Sequence, residues 1–318
     1  HTSIHGEKVR QVKVKRLKDM HKELRMNSDK KIYESDIKPE VRCLAENYLN
    51  LDSPKLNVAF FDIEVDFDAD KGFAPPEDPF MPITAITVHL QWMDALVTFA
   101  LPPKTLSMAE AEKQVEEFPN TMLFEQEADM LEAFLDLIED ADVLSGWNSE
   151  GFDIPYTVNR VIKVLSKEDT KRFCLWNQYP KKREYEKFGK TSQTYDLIGR
   201  VHVDSLELYR KYTYEERHTY RLDAIGEIEV GENKVPYEGT LDQLYNNDFR
   251  KFIEYNIQDT ALLDKLDKKL RFIDLSNTVA HENTVLLQTT MGAVAVTEQG
   301  IVNEAHNRGL QVPNRPKR

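Results

Sequence analysis

The sequence predicts an α/β fold, a sheet covered by helices, and three features carry that prediction. The stretch Asn57 to Val65 (NVAFFDIEV) is apolar on both alternating faces until its acids arrive, as a central strand covered on both sides must be. Two further strand-like runs follow it directly. Beyond them, segments with helical spacing alternate with short strand-like ones. The order of three strands, helix, strand, helix, strand, helix suits neither a sandwich nor a helical bundle.

Taken in order, the second and third strands are Ile83 to Trp92 (ITAITVHLQW) and Leu96 to Leu101 (LVTFAL), a hairpin candidate because only a short turn parts them. Met130, Leu131, Phe134, Leu135 and Ile138 fall at helical spacing and predict the first helix. Val143 to Ser145 is a fourth strand, and Val158, Val161, Ile162 and Leu165 mark the next helix. Arg172 to Leu197 reads as a polar, aromatic-rich insertion in which Gly189-Lys190 turns a hairpin. Arg200 to Leu206 (RVHVDSL) is the fifth strand, and a long helix from about Phe249 to Phe272 closes the core. The sequence contains no internal repeat and ends in a Pro- and Arg-containing tail, Pro313 to Arg318. In sheets of this kind chemistry collects at strand ends.

At 318 residues the chain has room for one large domain with an appendage, or two modest ones. Lys plus Arg number 42 against 55 Asp plus Glu, a net charge of -13, which argues against a broad duplex clamp built on phosphate neutralisation. Basic charge is instead local, in Lys8 to Arg25 and again in Lys181 to Lys190. A hydrophobic share of 41% with 31% charged residues is the composition of a soluble globular protein. No apolar run approaches the roughly 20 residues of a membrane helix. Cys43 and Cys174 are too few for a disulfide framework or a thiolate metal site, so a reducing, cytoplasmic setting is expected. The chain opens on His1 with no signal-peptide pattern and reads as a piece of something longer.

Three constellations carry chemistry. Asp62 and Glu64 end the first strand, and because strand side chains alternate they project to one face while Ile63 returns to the core. Two adjacent carboxylates repel unless a cation bridges them, and such an oxygen pair suits Mg²⁺ or Mn²⁺; an acidic strand end spilling into solvent is the plainer alternative. The second is Gly146 to Tyr156 (GWNSEGFDIPY), between the fourth strand and its helix. Asp153 is well explained as a helix N-cap, yet a cap does not require the Gly, Asn and aromatic residues before it. Asn148 has the chemistry to bond a sugar or phosphate and Phe152 to pack on a base. The third is Tyr255 with Asp259 on the closing helix. Asp259 lies in the middle of an apolar stripe with Phe252, Tyr255, Leu262, Leu263 and Leu266, where a carboxylate is costly unless paired, protonated or bound to a cation. Tyr255 or a buried Arg is one way to satisfy it, and a metal is another. Asp66, Asp68, Asp70 and Glu77 imitate a calcium loop, but Lys71 stands where Gly is needed and Pro75-Pro76 interrupt the end.

With these motifs in order, the sequence resembles the 3′-to-5′ proofreading exonuclease domain of family B DNA polymerases, most closely those of T-even-like bacteriophages. FFDIEV at Phe60 to Val65, GWNSEGFDIPY at Gly146 to Tyr156 and YNIQD at Tyr255 to Asp259 carry the match, with weaker similarity at Tyr33 to Arg42, Gly199 to Asp204 and Tyr220 to Tyr237. The resemblance implies an RNase H-like exonuclease fold, a mixed sheet flanked by helices, with a partial amino-terminal polymerase domain. It divides the chain into a shortened amino-terminal segment (1–55), the exonuclease domain (56–272), and a segment (273–318) that packs on the first and leads toward a palm domain. It implies two divalent cations, Mg²⁺ with Mn²⁺ as substitute. Asp62 would bridge both, Glu64 and Asp259 would complete one site, and Asp153 would serve the other. Tyr255 would position the attacking water, and Asn148 and Phe152 would contact the terminal nucleotides. The insertion near Lys187 to Tyr195 resembles the hairpin that helps pass a frayed primer end between synthesis and editing sites.

The implied substrate is a single-stranded DNA 3′ end, and the implied partners are palm, fingers and thumb, in cis or as a second subunit, with a sliding clamp reached through them; no membrane is implied. Palm signatures of the DxxSLYPS and DTDS kind are absent from the sequence, so synthesis by this chain is not expected. A free-standing nuclease acting on RNA, and a non-catalytic binding or scaffold piece of a split polymerase, are the alternatives.

Overall fold

Eight residues free of Gly and Pro, Val58–Val65, make β1 of the computed structural model, which describes residues 1–187, 189–232 and 235–316. The chain divides into two units, one formed by Lys55–Ile273 and the other by His1–Pro54 together with the segment from Asp274 onward.

In the larger unit, β1 is followed by β2 (Ile83–Leu90), β3 (Ala95–Ala100), α1 (Met108–Val115), β4 (Thr121–Leu123), α2 (Glu127–Leu137), β5 (Val143–Gly146), α3 (Asp153–Val164), β6 (Lys181–Lys187), β7 (Lys190–Asp196), β8 (Val201–Asp204), α4 (Ser205–Tyr212), α5 (Leu222–Val230), α6 (Leu241–Asn247) and α7 (Phe249–Leu270). Six of the strands form a mixed sheet in the order β8-β5-β1-β2-β3-β4. β1 pairs antiparallel with β2 and parallel with β5, and β8 extends the parallel side. The α/β expectation therefore holds, including the mixed sheet flanked by helices.

Alternation along β1 sorts its side chains between two cores. Ala59, Phe61 and Ile63 join Leu131, Phe134, Leu144, Tyr156 and Val161 under α2 and α3. On the other face Ala85, Ala100, Ala111, Phe249, Phe252, Ile253 and Tyr255 pack under α1, α6 and α7. Small residues line the sheet where α7 crosses it, and the buried Thr87 and Thr98 hydroxyls bond each other at 3.1 Å there. Thr260 of α7 comes close enough to reach the Thr87 carbonyl at 3.5 Å. Asp62 and Glu64 share the parity of Phe60 and so turn toward α7, with Asp62 opposite Thr87 and a register irregularity after Glu64.

Several elements differ from the sequence expectation. A sixth strand, β4, pairs parallel with β3 at the sheet edge; three residues (TML) are too short to show a period. α1 and α6 each begin with a capping box, Ser107 with Glu110 and Thr240 with Gln243, two start signals that the long apolar runs overshadow. α7 stops at Leu270 rather than running through Phe272, because Arg271 takes a left-handed conformation (φ 54) and a new helix, Phe272–Glu282, follows. The calcium-loop imitation is a tight hairpin between Phe67–Asp68 and Gly72–Phe73, in which an Asp68 oxygen accepts the N–H of Asp70 at 2.9 Å and of Lys71 at 2.8 Å. The insertion is the antiparallel pair β6–β7. Phe188 and the side chains of Lys187 and Lys190, within the basic run expected over Lys181 to Lys190, lie outside the described residues.

In the smaller unit, Thr2–Ser3 pairs parallel with Leu310–Gln311, and Tyr33 bridges Pro313. The buried Glu34 accepts from His306 Nε2 at 2.8 Å and from the Val312 N–H at 3.0 Å. Its helix Leu17–Met26 buries no residue, leaving the basic side chains of Arg10 to Arg25 exposed. Among the described residues no helix is long and apolar enough to cross a membrane.

Candidate active site

The sheet-to-α7 contact brings Asp62, Glu64 and Asp259 together, with one carboxylate oxygen from each lying within 4.8 Å of the others. Asp259 is buried at 2% exposure, which the apolar stripe on α7 anticipates. One turn earlier on the same face sits Tyr255, nearly buried, its ring met edge-on by Tyr237 at 5.3 Å. Burial first, and then the charges of Asp259, Glu64 and Asp62, raise the pKa of the Tyr255 hydroxyl far above its ordinary range, so it remains a proton donor at neutral pH.

Asp153 reaches the same strand from the opposite side. Its Oδ1 accepts the N–H of Ile63, the residue between Asp62 and Glu64, at 3.2 Å. Asp153 is not the N-cap of α3: it is the first helical residue, Phe152 occupies the cap position without a side-chain bond, and the carboxylate looks across to β1 instead. Burial, with the neighbouring Asp62 charge second, holds its carboxyl well above the usual carboxylate range. Asp153 is not a member of the Asp62–Glu64–Asp259 group, but its field and that of Asp62 overlap.

The loop that delivers Asp153 starts at Gly146, where a Cβ would stand 2.7 Å from the Phe61 carbonyl, so only glycine lets β5 end this close to β1. Asn148 sits in the left-handed region (φ 61) with its side chain exposed. Phe152 is half-buried, packed on the core and on Tyr156 at 5.2 Å. Trp147 is tethered through Nε1 to the Tyr220 carbonyl at 2.9 Å.

Three features escape the motif reading. Phe73, 74% exposed, stands beside Phe67 on the hairpin just beyond the acid-bearing end of β1; its signal is an aromatic pair flanking an Asp-rich turn. Asp204 at the end of β8 accepts the amides of the Asp153 loop, a role that its N-cap position alone does not announce. A second charged group, His89, Asp94 and Asp264, lies along the same β2–α7 contact. Lys268 bridges Asp264 at 2.8 Å and Asp94 at 3.3 Å, so there the chain supplies its own cation.

The oxygen-only donor set at Asp62, Glu64 and Asp259 fits a hard divalent cation: three carboxylates this close together are stabilised by positive charge, and α7 holds Asp259 where apolar packing alone would reject it. Comparison with known proteins agrees with this chemistry. A profile of the DNA polymerase family B exonuclease domain matches residues 4–225, which include Asp62, Glu64 and Asp153 and end before α7. The chain is 27% identical to the DNA-directed DNA polymerase of Escherichia phage RB69 over 94% of its own length and 34% of that protein's. It is 28% identical to that of Enterobacteria phage T4 over 60% and 22%, and 30% identical to the DNA polymerase of Bombyx mori nuclear polyhedrosis virus over 49% and 16%. The chain thus spans about a third or less of the relatives it matches. With a mixed sheet, an acidic centre at its heart and this match across most of its length, the chain belongs to the exonuclease-domain family of family B DNA polymerases.

Proposed function

We propose that this chain removes nucleoside monophosphates from the 3′ end of single-stranded or frayed DNA, as the proofreading part of a replicative family B polymerase whose palm, fingers and thumb, and through them a sliding clamp, are its partners. The observation that carries the reading is the meeting of Asp62, Glu64 and Asp259 beside Tyr255, with Asp153 bonded to the backbone between Asp62 and Glu64.

Asp62, Glu64 and Asp259 would hold one cation and Asp62 with Asp153 a second; Mg²⁺, or Mn²⁺ in its place, would supply Lewis-acid stabilisation of the attacking and leaving oxygens. The protonated Tyr255 hydroxyl orients a water for in-line attack on the last phosphodiester. The water oxygen bonds to phosphorus, the bond to the 3′ oxygen breaks, and the shortened strand keeps a 3′-hydroxyl while the nucleotide leaves with its 5′-phosphate. Phe73 offers an exposed face on which a terminal base stacks, and Asn148 and the edge of Phe152 border the same path.

The test is degradation of end-labelled DNA and RNA oligonucleotides of one sequence with Mg²⁺ or Mn²⁺, with and without chelator, beside Asp62→Ala. Chelator-sensitive loss of 3′ nucleotides from DNA, absent in Asp62→Ala, is expected. Equal degradation by both proteins removes the site assignment, preference for RNA points to a free-standing ribonuclease, and inactivity of the wild type to a scaffold.

A further inference from the structure

Asp204 takes no part in these steps, yet among the described residues it organises the loop that does. It ends β8 at 6% exposure, and its two oxygens accept three backbone N–H bonds: Oδ1 from Asn148 at 3.0 Å and from Leu206 at 2.9 Å, Oδ2 from Glu150 at 3.0 Å. Burial pushes its carboxyl up to about 6 against the pull of these amides. The Leu206 bond caps α4, an ordinary duty; the other two reach across to the loop between β5 and α3. There Asn148 is held at φ 61, a conformation that needs local hydrogen bonding to persist in a residue other than glycine. The side chain of Glu150 in turn bonds Arg183 on β6, whose Nε holds Asp196 on β7 at 2.9 Å. The hairpin is thus fastened to the same loop.

We propose that Asp204 is a positioning residue for the active centre: by gripping the amides of Asn148 and Glu150 it sets where the loop delivers Asp153, and the Glu150–Arg183 pair hangs the β6–β7 hairpin from that anchor. The inference rests on the proposed role of Asp153 in holding a cation. Asparagine at 204 keeps one acceptor and turns an NH₂ group toward an N–H, so the grip on one amide is lost while the size is unchanged. Glutamate keeps the charge but moves the oxygens by a methylene.

The experiment measures Mn²⁺ binding by calorimetry and amide exchange of the loop without DNA, then kcat and KM on a single-stranded oligonucleotide, for wild type, Asp204→Asn, Asp204→Glu and Glu150→Gln. For both Asp204 variants, exchange at Asn148 and Glu150 is expected to accelerate, Mn²⁺ affinity to fall about tenfold, and kcat to fall about 10–100-fold with KM little changed. Glu150→Gln is expected to loosen the hairpin amides and leave Mn²⁺ affinity intact. Unchanged affinity and loop exchange in the Asp204 variants, with a wild type that binds Mn²⁺, overturns this proposal alone. A wild type that binds no Mn²⁺ overturns the proposed function with it. If Asp204→Asn does not fold, Asp204→Glu decides.

Discussion

Two charged clusters lie along the contact between α7 and the sheet, and they are completed differently. At Asp264, Asp94 and His89 the chain provides the counter-charge: Lys268 reaches both acids, and His89 stands between them at 3.3 and 3.4 Å. At Asp62, Glu64 and Asp259 the same helix brings three carboxylates into one group, and the charge there is strong enough to act on Tyr255 and Asp153. A cluster completed by its own lysine gains stability and has no use for an ion from solution. Under the proposed function the acid group takes a cation from solution, and its folding is coupled to that ion by mass action. The comparison then sets a structural brace beside a metal site.

The sharpest way to break this comparison is to remove the acid that the shared helix gives to the second cluster. Asp259→Asn is expected to lower the rate of 3′-nucleotide release on the order of a thousandfold, several kcal/mol of lost charge stabilisation. The same variant should melt no lower than wild type without metal and lose the rise in Tm that Mg²⁺ gives wild type, as read by differential scanning calorimetry. A full Mg²⁺-dependent rise in Asp259→Asn would mean that the cation sits elsewhere.

A smaller effect concerns Asp204, a buried acid held by amides rather than by cations. Its folded pKa is raised from 3.8 to about 6, so well below pH 3.8 it is protonated in both states and contributes no penalty. As pH climbs through the interval up to about 6 the unfolded chain gives up its proton more readily, and stability falls by on the order of 2–3 kcal/mol. Urea unfolding of wild type against Asp204→Asn between pH 4 and 7.5 should show this slope in the wild type and not in the variant; parallel curves would exclude it.

The smallest effect tests the brace. Lys268→Met leaves the buried Asp264 with His89 alone and should cost about 1 kcal/mol, because the lysine is half exposed. It should leave the Mg²⁺-dependent rise in Tm unchanged; a loss of that rise would join the two clusters into one site.

Much of this arrangement is legible in the sequence because it depends on short-range periodicity. Strand alternation puts Asp62 and Glu64 on one face, and helical spacing sets Asp259 inside an apolar stripe, so burial of the last acid follows from its neighbours. The hairpin of β2 and β3 and the strand β5 likewise announce themselves by apolar runs. What stays hidden depends on partners distant in the chain or on single backbone angles. Nothing near Asp204 tells that its oxygens will face amides of the β5–α3 loop, and nothing near Arg183 names Glu150. β4 owes its strand conformation to β3 beside it, and α7 ends on one left-handed arginine. Asp153 shows the limit most clearly, since its sequence context describes a helix cap and only the strand across from it reveals the other use.

The placement of Asp259 on the last helix of the larger unit also has a consequence during synthesis. At about 5–20 residues per second, β1 leaves the ribosome roughly 10–40 s before α7 does. Through that interval the nascent chain carries Asp62 and Glu64, and from partway through it Asp153, but not the helix that brings Asp259 to the first two. A product truncated before α7 therefore lacks part of the acidic group, and under the proposed function nuclease activity would wait until translation has gone past α7.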